Sequence, residues 1–280
     1  MTKPSATPPL NTRPRKLSIS DLELLQRDPY SIYAKHTAAL KPVQELIPES
    51  NQALYGMVLH RILELFCRQH PQDLPNNASQ QLADLLEGVL HGFSVEESLI
   101  VLWRPRLMAA LDYYYQLESE RRSMIRQVLP EVSLSKTIDI GGRPFVVYGR
   151  ADRIEIYQDG TAALIDYKTG ILSLMRDVHA LIACQLPVGA WLAQHMFEQK
   201  KIDAHIDKVE YWRFSKDGIE VKTPFTNMQE GQTLAQVESH IQQLLTHYDN
   251  AETPYTAIPD EMIAPAYSNY LHLERYAEWA

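Results

Sequence analysis

The spacing of hydrophobic and polar positions along the chain changes near Pro130. Before this residue, apolar side chains recur every three to four positions. In ALYGMVLHRILELFCRQH, for example, one apolar stripe consists of Leu54, Val58, Ile62 and Leu65. This period is typical of a helix with one face in the core. After Pro130, EVSLSKTIDI alternates between apolar and polar residues, which is typical of a strand. The pattern therefore predicts a helical N-terminal part followed by a sheet.

Start and stop signals divide the helical stretches. Ser20 and Glu23 fit a capping box at the start of a first helix, and Pro29 suits the first turn of a second. An interruption is expected near Pro105, and the tail is expected to form a short final helix. Further helices are predicted over residues 53–70, 78–91, 95–127, 174–199 and 228–249.

Turn signals separate the strands. The pair Gly141-Gly142 predicts a hairpin turn before the long strand RPFVVYGRADRIEIY, and QDG at 158–160 predicts a turn before TAALIDYKT. A further hairpin is predicted from DKVEYWRFS, KDG and IEVKTP. The order of elements favours an α/β (α+β) fold with a small mixed central sheet flanked by helices. Residues 17–280 contain no linker and are predicted to be one domain, whereas the Pro-rich, basic residues 1–16 are predicted to be a disordered arm.

Composition and charge narrow the class of protein. The chain has 280 residues, of which 45% are hydrophobic and 22% charged, as in an ordinary globular protein. No apolar run approaches the roughly 18 residues of a membrane helix, and the N-terminus lacks a secretory h-region, so a cytoplasmic protein without a membrane partner is expected. Cys67 and Cys184 are too few for a four-cysteine cluster and are expected to be buried.

The formal net charge of −8 argues against a protein that binds nucleic acid over its whole surface, but it allows a DNA-binding site of limited area. The helix predicted over 95–127 carries several arginines, and such a helix is more often a solvated face than a DNA contact. These arginines are Arg104, Arg106, Arg121, Arg122 and Arg126.

Candidate chemistry lies in the strand ALIDYK. Asp166 and Lys168 are two residues apart, so both point to the same face of the strand, about 6 to 7 Å apart at Cα. Asp152 on the preceding strand can approach Asp166 across the short turn. Two carboxylates this close repel unless a cation lies between them, and Mg²⁺ or Mn²⁺ prefers such oxygen ligands. The alternative is a solvated ion pair on an exposed strand face.

Together, GRADRIE and ALIDYKTG resemble the core of the PD-(D/E)XK nuclease superfamily. The chain resembles more narrowly the RecB-like nuclease domain at the C-terminus of AddB-type helicase–nuclease subunits. Supporting stretches are LSISDLELLQRDPYSIYAKH, ALYGMVLHRILELF, PEVSLSKTIDIGGRPFVVYGRADRIE, CQLPVGAWLA and YLHLERYAEWA. The resemblance extends over residues 17–280 and implies a restriction-endonuclease-like core.

The resemblance implies a set of metal ligands: Asp152, Asp166, the carbonyl of Tyr167 and His60. His60 follows Gly56 by one helical turn, so both lie on one helix face, where a glycine allows close approach of another group. Glu64, one turn further along, could orient the imidazole. A tolerated surface or core-edge histidine is the simpler interpretation of His60 taken alone.

Further roles concern catalysis and DNA. Lys168 would be the catalytic lysine, and Glu131 on the first core strand would assist. Gln185 would contact DNA near the scissile phosphate. Arg150 and Arg153 flank Asp152 and are candidates for phosphate contacts.

The favoured function is a Mg²⁺- or Mn²⁺-dependent DNA nuclease that acts from ends in double-strand break repair and recombination. The chain lacks a G-x-x-x-x-G-K-[ST] loop, so any motor would be a separate helicase subunit of an AddAB/RecBCD-like complex. No iron–sulfur cluster is expected, because the cysteines of many relatives are missing. Gly189 stands where RecB-like nucleases commonly have a DNA-contacting tyrosine, which Trp191 could partly replace. The alternatives are an idle DNA-binding module that docks a helicase and a hydrolase of small phosphate esters.

Overall fold

A computed structural model describes residues 2–41, 51–93, 95–228, 233–265 and 267–279. The helices are α1 (Ile19–Arg27), α2 (Pro29–Ile32), α3 (Asn51–Gln69), α4 (Ala78–Gly92), α5 (Glu97–Arg121), α6 (Met175–His179), α7 (Gln185–Lys200), α8 (Thr233–Tyr248) and α9 (Tyr276–Trp279). The strands are β1 (Ser5–Ala6), β2 (Lys16–Ser18), β3 (Ile125–Ile140), β4 (Arg143–Tyr157), β5 (Thr161–Lys168), β6 (His205–Ser215), β7 (Gly218–Phe225) and β8 (Tyr255–Thr256).

The central sheet is organised around β4. Antiparallel β3 follows nearly the whole of β4 along one edge. The other edge has two partners: parallel β2 pairs with residues 146–148, and antiparallel β5 pairs with residues 153–156. The sheet continues with β6 parallel to β5 and β7 antiparallel to β6. The predicted mixed central sheet flanked by helices is therefore confirmed. Between residues 148 and 153, the partner of β4 on this edge changes from β2 to β5, and the two partner strands separate there to form a fork in the sheet.

Two hydrophobic cores lie on opposite faces of this sheet. One contains the apolar residues of α1, α7 and α8, together with Leu164 of β5. The other contains those of α3, α4 and α5, together with Ile165 and Tyr167 of the same strand. The strict alternation along β5 is what allows one strand to contribute to both cores. Among the described residues, none of the helices combines the length and apolar character that crossing a membrane requires.

Several predicted boundaries shift. The capping box at the start of α1 is formed by Ser18 and Asp21, not by Ser20 and Glu23. Pro105 lies inside α5 without ending it, and β3 begins at Ile125, within the stretch predicted to be helical. The helix predicted over 174–199 is two helices, α6 and α7. Of the stretch predicted as helix over 228–249, residues 229–232 lie outside the described residues.

The N-terminal residues correct a further prediction. Residues 1–16 were expected to form a disordered arm, but from residue 2 onward they follow a defined path across the molecule. Strand β1 pairs with β8, and buried Arg13 donates hydrogen bonds to the carbonyls of Tyr248, Asn250 and Ala251. A basic side chain that seemed free in the sequence thus fastens this segment to the end of α8.

Candidate metal centre

The fork in the sheet positions Asp152. Pairing between β4 and β5 ends at Arg153, so Asp152 is the first residue of β4 beyond the ladder. Its Oδ2 accepts a hydrogen bond from the backbone N–H of Tyr167 at 2.9 Å. The carboxylate is thereby held at the point where the two strands separate.

Glu131 reaches the same point from β3 through an unusual backbone conformation. Its φ is +51°, in the left-handed region that residues with a side chain rarely adopt. The neighbouring pairs are Pro130 with Arg153 and Val132 with Ala151, so Glu131 lies opposite Asp152. Backbone strain of this kind is concentrated at functional sites.

His60 approaches from α3. Its Nε2 lies 3.1 Å from the carbonyl oxygen of Tyr167, and its Nδ1 lies 3.6 Å from Asp152 Oδ2. A neutral imidazole has one N–H, so one of these two contacts sets a nitrogen lone pair against an oxygen. One ligand atom from each of His60, Glu131 and Asp152 lies within 4.8 Å of the others. A cation bound between the imidazole nitrogen and the oxygen would remove the repulsion between their lone pairs.

Close packing brings α3 to the sheet. A Cβ added at Gly56 would lie 3.1 Å from Thr169 Oγ1, just after the end of β5. The sequence indicated a close approach at Gly56 but not its partner, and Thr169 was not among the predicted site residues. A side chain at position 56 would therefore require Thr169 or α3 to shift by a few tenths of an ångström.

Asp166, Lys168 and Gln185 form a second group beside His60 and Asp152. The Lys168 ammonium lies 2.8 Å from Asp166 Oδ2 and donates to the Gln185 side-chain oxygen at 3.1 Å. The Gln185 amide nitrogen donates to Asp166 Oδ1 at 2.6 Å. Asp166 and Lys168 therefore point to the same side of β5, and Gln185 links them from the first turn of α7.

The surroundings of the carboxyl groups in this centre disfavour their ionised forms. Burial, followed by the neighbouring Asp152 carboxylate, raises the pKa of Asp166 to about 6, although Lys168 opposes the shift. Burial also raises the pKa values of Asp152 and Glu131, and it lowers the pKa of His60. These carboxylates, one imidazole nitrogen and the Tyr167 carbonyl form a donor set that suits Mg²⁺ or Mn²⁺.

The two arginines that flank Asp152 have different surroundings. The side chain of Arg150 is 67% exposed and lies 3.0 Å from Glu131. That of Arg153 is fully buried between Glu118 and Glu155, at 2.6 and 2.8 Å. The phosphate contact predicted for Arg153 is therefore corrected, because strand alternation points this residue into the core beneath α5.

Two other expectations also change. Glu64 pairs with Arg61 and Arg68, not with the His60 imidazole. Trp191 is buried on the side of α7 that faces Lys136, whose ammonium lies 4.5 Å from its ring centroid, so it does not replace the missing tyrosine. Gly189 packs close to Leu164, where an added Cβ would lie 3.3 Å from Cδ1.

An open cleft of about 550 Å³ gives access to the centre. His60, Glu131, Arg150, Asp152 and Lys168 are among its lining residues. The carboxylates of Glu131 and Asp152, the His60 imidazole, the lysine and two arginines, Arg61 and Arg150, thus border the same volume. This combination of charges can receive a phosphate group together with a cation.

The chain is similar to a known protein family and to a solved structure. The family model described as the PD-(D/E)XK nuclease superfamily matches residues 16–261. The crystal structure of SSO0001 is similar over 82% of this chain and 76% of that chain, with 17% sequence identity. The TM-score between the two structures is 0.34.

Curated relatives are similar over part of their length. An uncharacterized protein of Rickettsia bellii is 26% identical over 173 residues, which are 62% of this chain and 21% of the relative. One from Rickettsia felis is 25% identical over 201 residues, 70% of this chain and 24% of the relative. An ATP-dependent helicase/deoxyribonuclease subunit of Streptococcus pyogenes serotype M3 is 22% identical over 166 residues, 56% of this chain and 14% of that subunit. The chain thus spans a quarter or less of these relatives.

Proposed function

Because the chain belongs to the PD-(D/E)XK nuclease superfamily, we propose that it is a divalent-metal-dependent nuclease that hydrolyses phosphodiester bonds of DNA. The observation that carries the proposal is the convergence of His60, Glu131 and Asp152 within 4.8 Å beside the Tyr167 carbonyl. These groups come from α3, β3, β4 and β5, and ordinary packing gives no reason to collect them at one point.

The proposed ligands of the cation are His60, Asp152, Asp166 and the Tyr167 carbonyl, with Glu131 assisting. A bound Mg²⁺ or Mn²⁺ would polarise the scissile phosphate and lower the pKa of a bound water. We propose Mg²⁺ as the ordinary cofactor because hard oxygen ligands dominate the set.

Lys168 has the central role among the groups that are not ligands. Its ammonium is fixed between Asp166 and Gln185, so it can stabilise negative charge that develops on a phosphate without first reorganising. Gln185 is engaged with both neighbours, and this supports a role in holding the lysine in addition to the DNA contact proposed for it. Arg150 is exposed in the cleft and is the proposed phosphate contact.

The wider role is also a proposal. Similarity to the streptococcal helicase/deoxyribonuclease subunit supports a RecB-like nuclease that works from DNA ends in double-strand break repair, with a separate helicase as partner. The match covers 14% of that subunit, and both the helicase partner and the repair role belong to the proposal.

The test is hydrolysis of 5′-labelled single-stranded and duplex DNA in Mg²⁺, Mn²⁺ or EDTA. We expect metal-dependent cleavage, and a loss of about 100-fold or more in Lys168→Ala, because a fixed charge that stabilises the reacting phosphate is removed. Lys222→Ala is the matched control, since Lys222 is an exposed lysine paired with Glu220 on β7, and its activity should be unchanged.

Three outcomes separate the candidate functions. Cleavage that requires both metal and Lys168 supports the nuclease. DNA binding without cleavage by the wild type would favour the idle docking module. Hydrolysis of small phosphate esters without DNA affinity would favour the small-ester hydrolase.

A further inference from the structure

A second cavity adjoins the metal cleft. It has a volume of about 830 Å³ and lies between α3, α5 and the turn that joins β6 to β7. Thr169 and Gly170 line both this cavity and the cleft that contains His60 and Asp152. A strand whose scissile phosphate occupies the cleft can therefore continue into this cavity, which we call the α3–α5 groove.

The charged residues that line the groove are all cations. They are Arg106 on α5, Arg213 on β6 and Lys216 in the β6–β7 turn, with no Asp or Glu among the lining residues in the described part of the chain. Glu220 pairs with Arg213 from outside the groove but is shared with Lys222. In a chain with a net charge of −8, such a cluster indicates a local site for an anion.

An aromatic platform completes the groove. The Arg106 guanidinium lies 5.3 Å from the centroid of the Tyr55 ring. The Trp103 ring contacts Tyr55 edge to face, with centroids 5.6 Å apart and an interplanar angle of 86°, which restricts the tyrosine. Bases of single-stranded nucleic acid stack on aromatic rings and on guanidinium planes of this kind.

We propose that the α3–α5 groove binds single-stranded DNA next to the scissile phosphate. Bases stack on the platform of Tyr55 and Arg106, and phosphates contact Arg213 and Lys216. A duplex keeps its bases paired and stacked, so it cannot use the platform in the same way, and the groove makes the enzyme selective for single strands. This inference rests on the proposed nuclease function, because it assumes that the bound strand places its scissile phosphate in the metal cleft.

The first test measures binding and does not depend on cleavage. Fluorescence anisotropy of a short labelled single strand and the matching duplex is recorded in EDTA with the full chain. We expect Tyr55→Ala to weaken single-strand binding about ten-fold, because one stacked base is lost, with little effect on the duplex. Tyr55→Phe keeps the ring and should bind like the wild type.

The cations are tested by salt dependence. Lys216→Ala should reduce the slope of log K against log salt concentration by about 0.7 for the single strand, as expected for one lost phosphate contact. Arg106→Ala should weaken single-strand binding through loss of stacking and charge. Arg104→Ala is the matched control, because Arg104 lies two residues away on α5, is exposed and pairs with Glu87 outside the groove.

The outcomes separate this inference from the nuclease proposal. If single-strand affinity is the same in Arg106→Ala, Lys216→Ala and Arg104→Ala, or if the wild type binds no single strand, the groove proposal is overturned even where DNA is cleaved. If the groove variants lose affinity but the wild type cleaves nothing, the groove is supported and the nuclease proposal fails. Because Arg106 and Lys216 are exposed, their variants remain informative if Tyr55→Ala does not fold.

Discussion

At the scale of single residues, Glu131 shows how the backbone can support chemistry. A left-handed conformation costs a residue with a side chain about 1–2 kcal/mol, and Glu131 adopts one inside a long strand. Burial and the nearby Asp152 raise the pKa of its carboxyl, so its charge is also unfavourable without a cation. Both features oppose stability, and both are understandable if the residue is retained for metal binding.

Glu131→Gly should therefore separate stability from function. Glycine adopts positive φ freely, which relieves the strain, and this gain outweighs or balances its backbone entropy of about 0.5–1 kcal/mol. We expect the free energy of unfolding in urea, measured in EDTA, to be equal to or higher than that of the wild type. Mn²⁺ affinity measured by calorimetry should fall about ten-fold or more, because a carboxylate of the centre is lost.

A glycine control makes this prediction specific. Ser133 is exposed on the same strand outside the left-handed position, so Ser133→Gly should lower the free energy of unfolding by about 0.5–1 kcal/mol. If Glu131→Gly lowers the free energy of unfolding by as much as Ser133→Gly or by more, the interpretation that Glu131 is strained is contradicted.

At the scale of elements, buried ion pairs join α5 to the sheet. Arg153 on β4 contacts Glu118 and Glu155, and Arg121 contacts Glu155 and Glu210. The arginines of the stretch predicted as helix over 95–127 therefore have different roles. Arg121 and Arg122 pair with glutamates of the protein, whereas Arg106 lines the groove.

The neighbouring residues Arg150 and Arg153 should have opposite phenotypes. Arg153→Ala removes a buried partner from both Glu118 and Glu155, each of which keeps one other arginine, and should lower the free energy of unfolding by about 3–5 kcal/mol. Arg150→Ala removes an exposed side chain and should change stability by less than about 0.5 kcal/mol while weakening DNA binding. Urea denaturation and anisotropy distinguish the two. A stable Arg153→Ala protein with weakened DNA affinity would restore the phosphate role for that residue.

The C-terminal segment is attached through a buried carboxyl. Glu274 accepts hydrogen bonds from Ser268 at 2.7 Å and Ser31 at 3.2 Å, close to Asp28 at the start of α2. Burial, together with the Asp28 charge, raises the pKa of Glu274 from its ordinary 4.5 to about 7. The folded protein therefore holds this proton more tightly than the unfolded chain does.

This shift gives a pH-dependent stability of known sign. The contribution of the protonated Glu274 is fully present below pH 4.5 and is lost as the pH rises to about 7. Glu274→Gln remains neutral at every pH. We expect the free energy of unfolding of the wild type minus that of Glu274→Gln to decrease across this range in urea titrations. A difference that is constant or that increases with pH would exclude the raised pKa.

At the scale of the whole molecule, the proposed metal centre joins elements from both cores. His60 lies on α3, which packs in one core, and Asp166 contacts Gln185 at the start of α7, which packs in the other. A cation that binds the folded centre but not the unfolded chain therefore stabilises the entire fold, by about 2.7 kcal/mol at a concentration of 100 times its Kd.

Metal removal should accordingly lower the melting temperature. We expect Mg²⁺ or Mn²⁺ to raise the melting temperature of the wild type relative to EDTA, and to leave that of Asp152→Asn unchanged. In EDTA, Asp152→Asn should be at least as stable as the wild type, because burial disfavours the Asp152 charge. Asp217→Asn, an exposed substitution in the β6–β7 turn, is the control and should keep the full metal response. Equal responses in the wild type and Asp152→Asn would contradict the proposed centre.

Local patterns in the sequence determined most of the elements and the core of the site. Periodicity and turn residues are local properties, so they predicted the hairpins at Gly141-Gly142 and at 158–160 and the antiparallel pairing of β4, which carries Asp152, with β5, which carries Asp166. The shared side of Asp166 and Lys168 follows from strand alternation alone. The family of the chain was evident from the same two segments, as the match over residues 16–261 confirms.

Only the tertiary structure decided which charged residues face solvent and which are enclosed. Arg150 and Arg153 look alike in the sequence, but Arg150 is exposed and Arg153 is buried against Glu118 of α5. The sequence of the strand alone does not show which of its residues a distant helix covers. The left-handed Glu131, the contact of Gly56 with Thr169 and the groove beside α5 depend on where separate elements meet. Local sequence sets the conformation and alternation of each segment, whereas the surroundings of a side chain depend on segments distant in the chain.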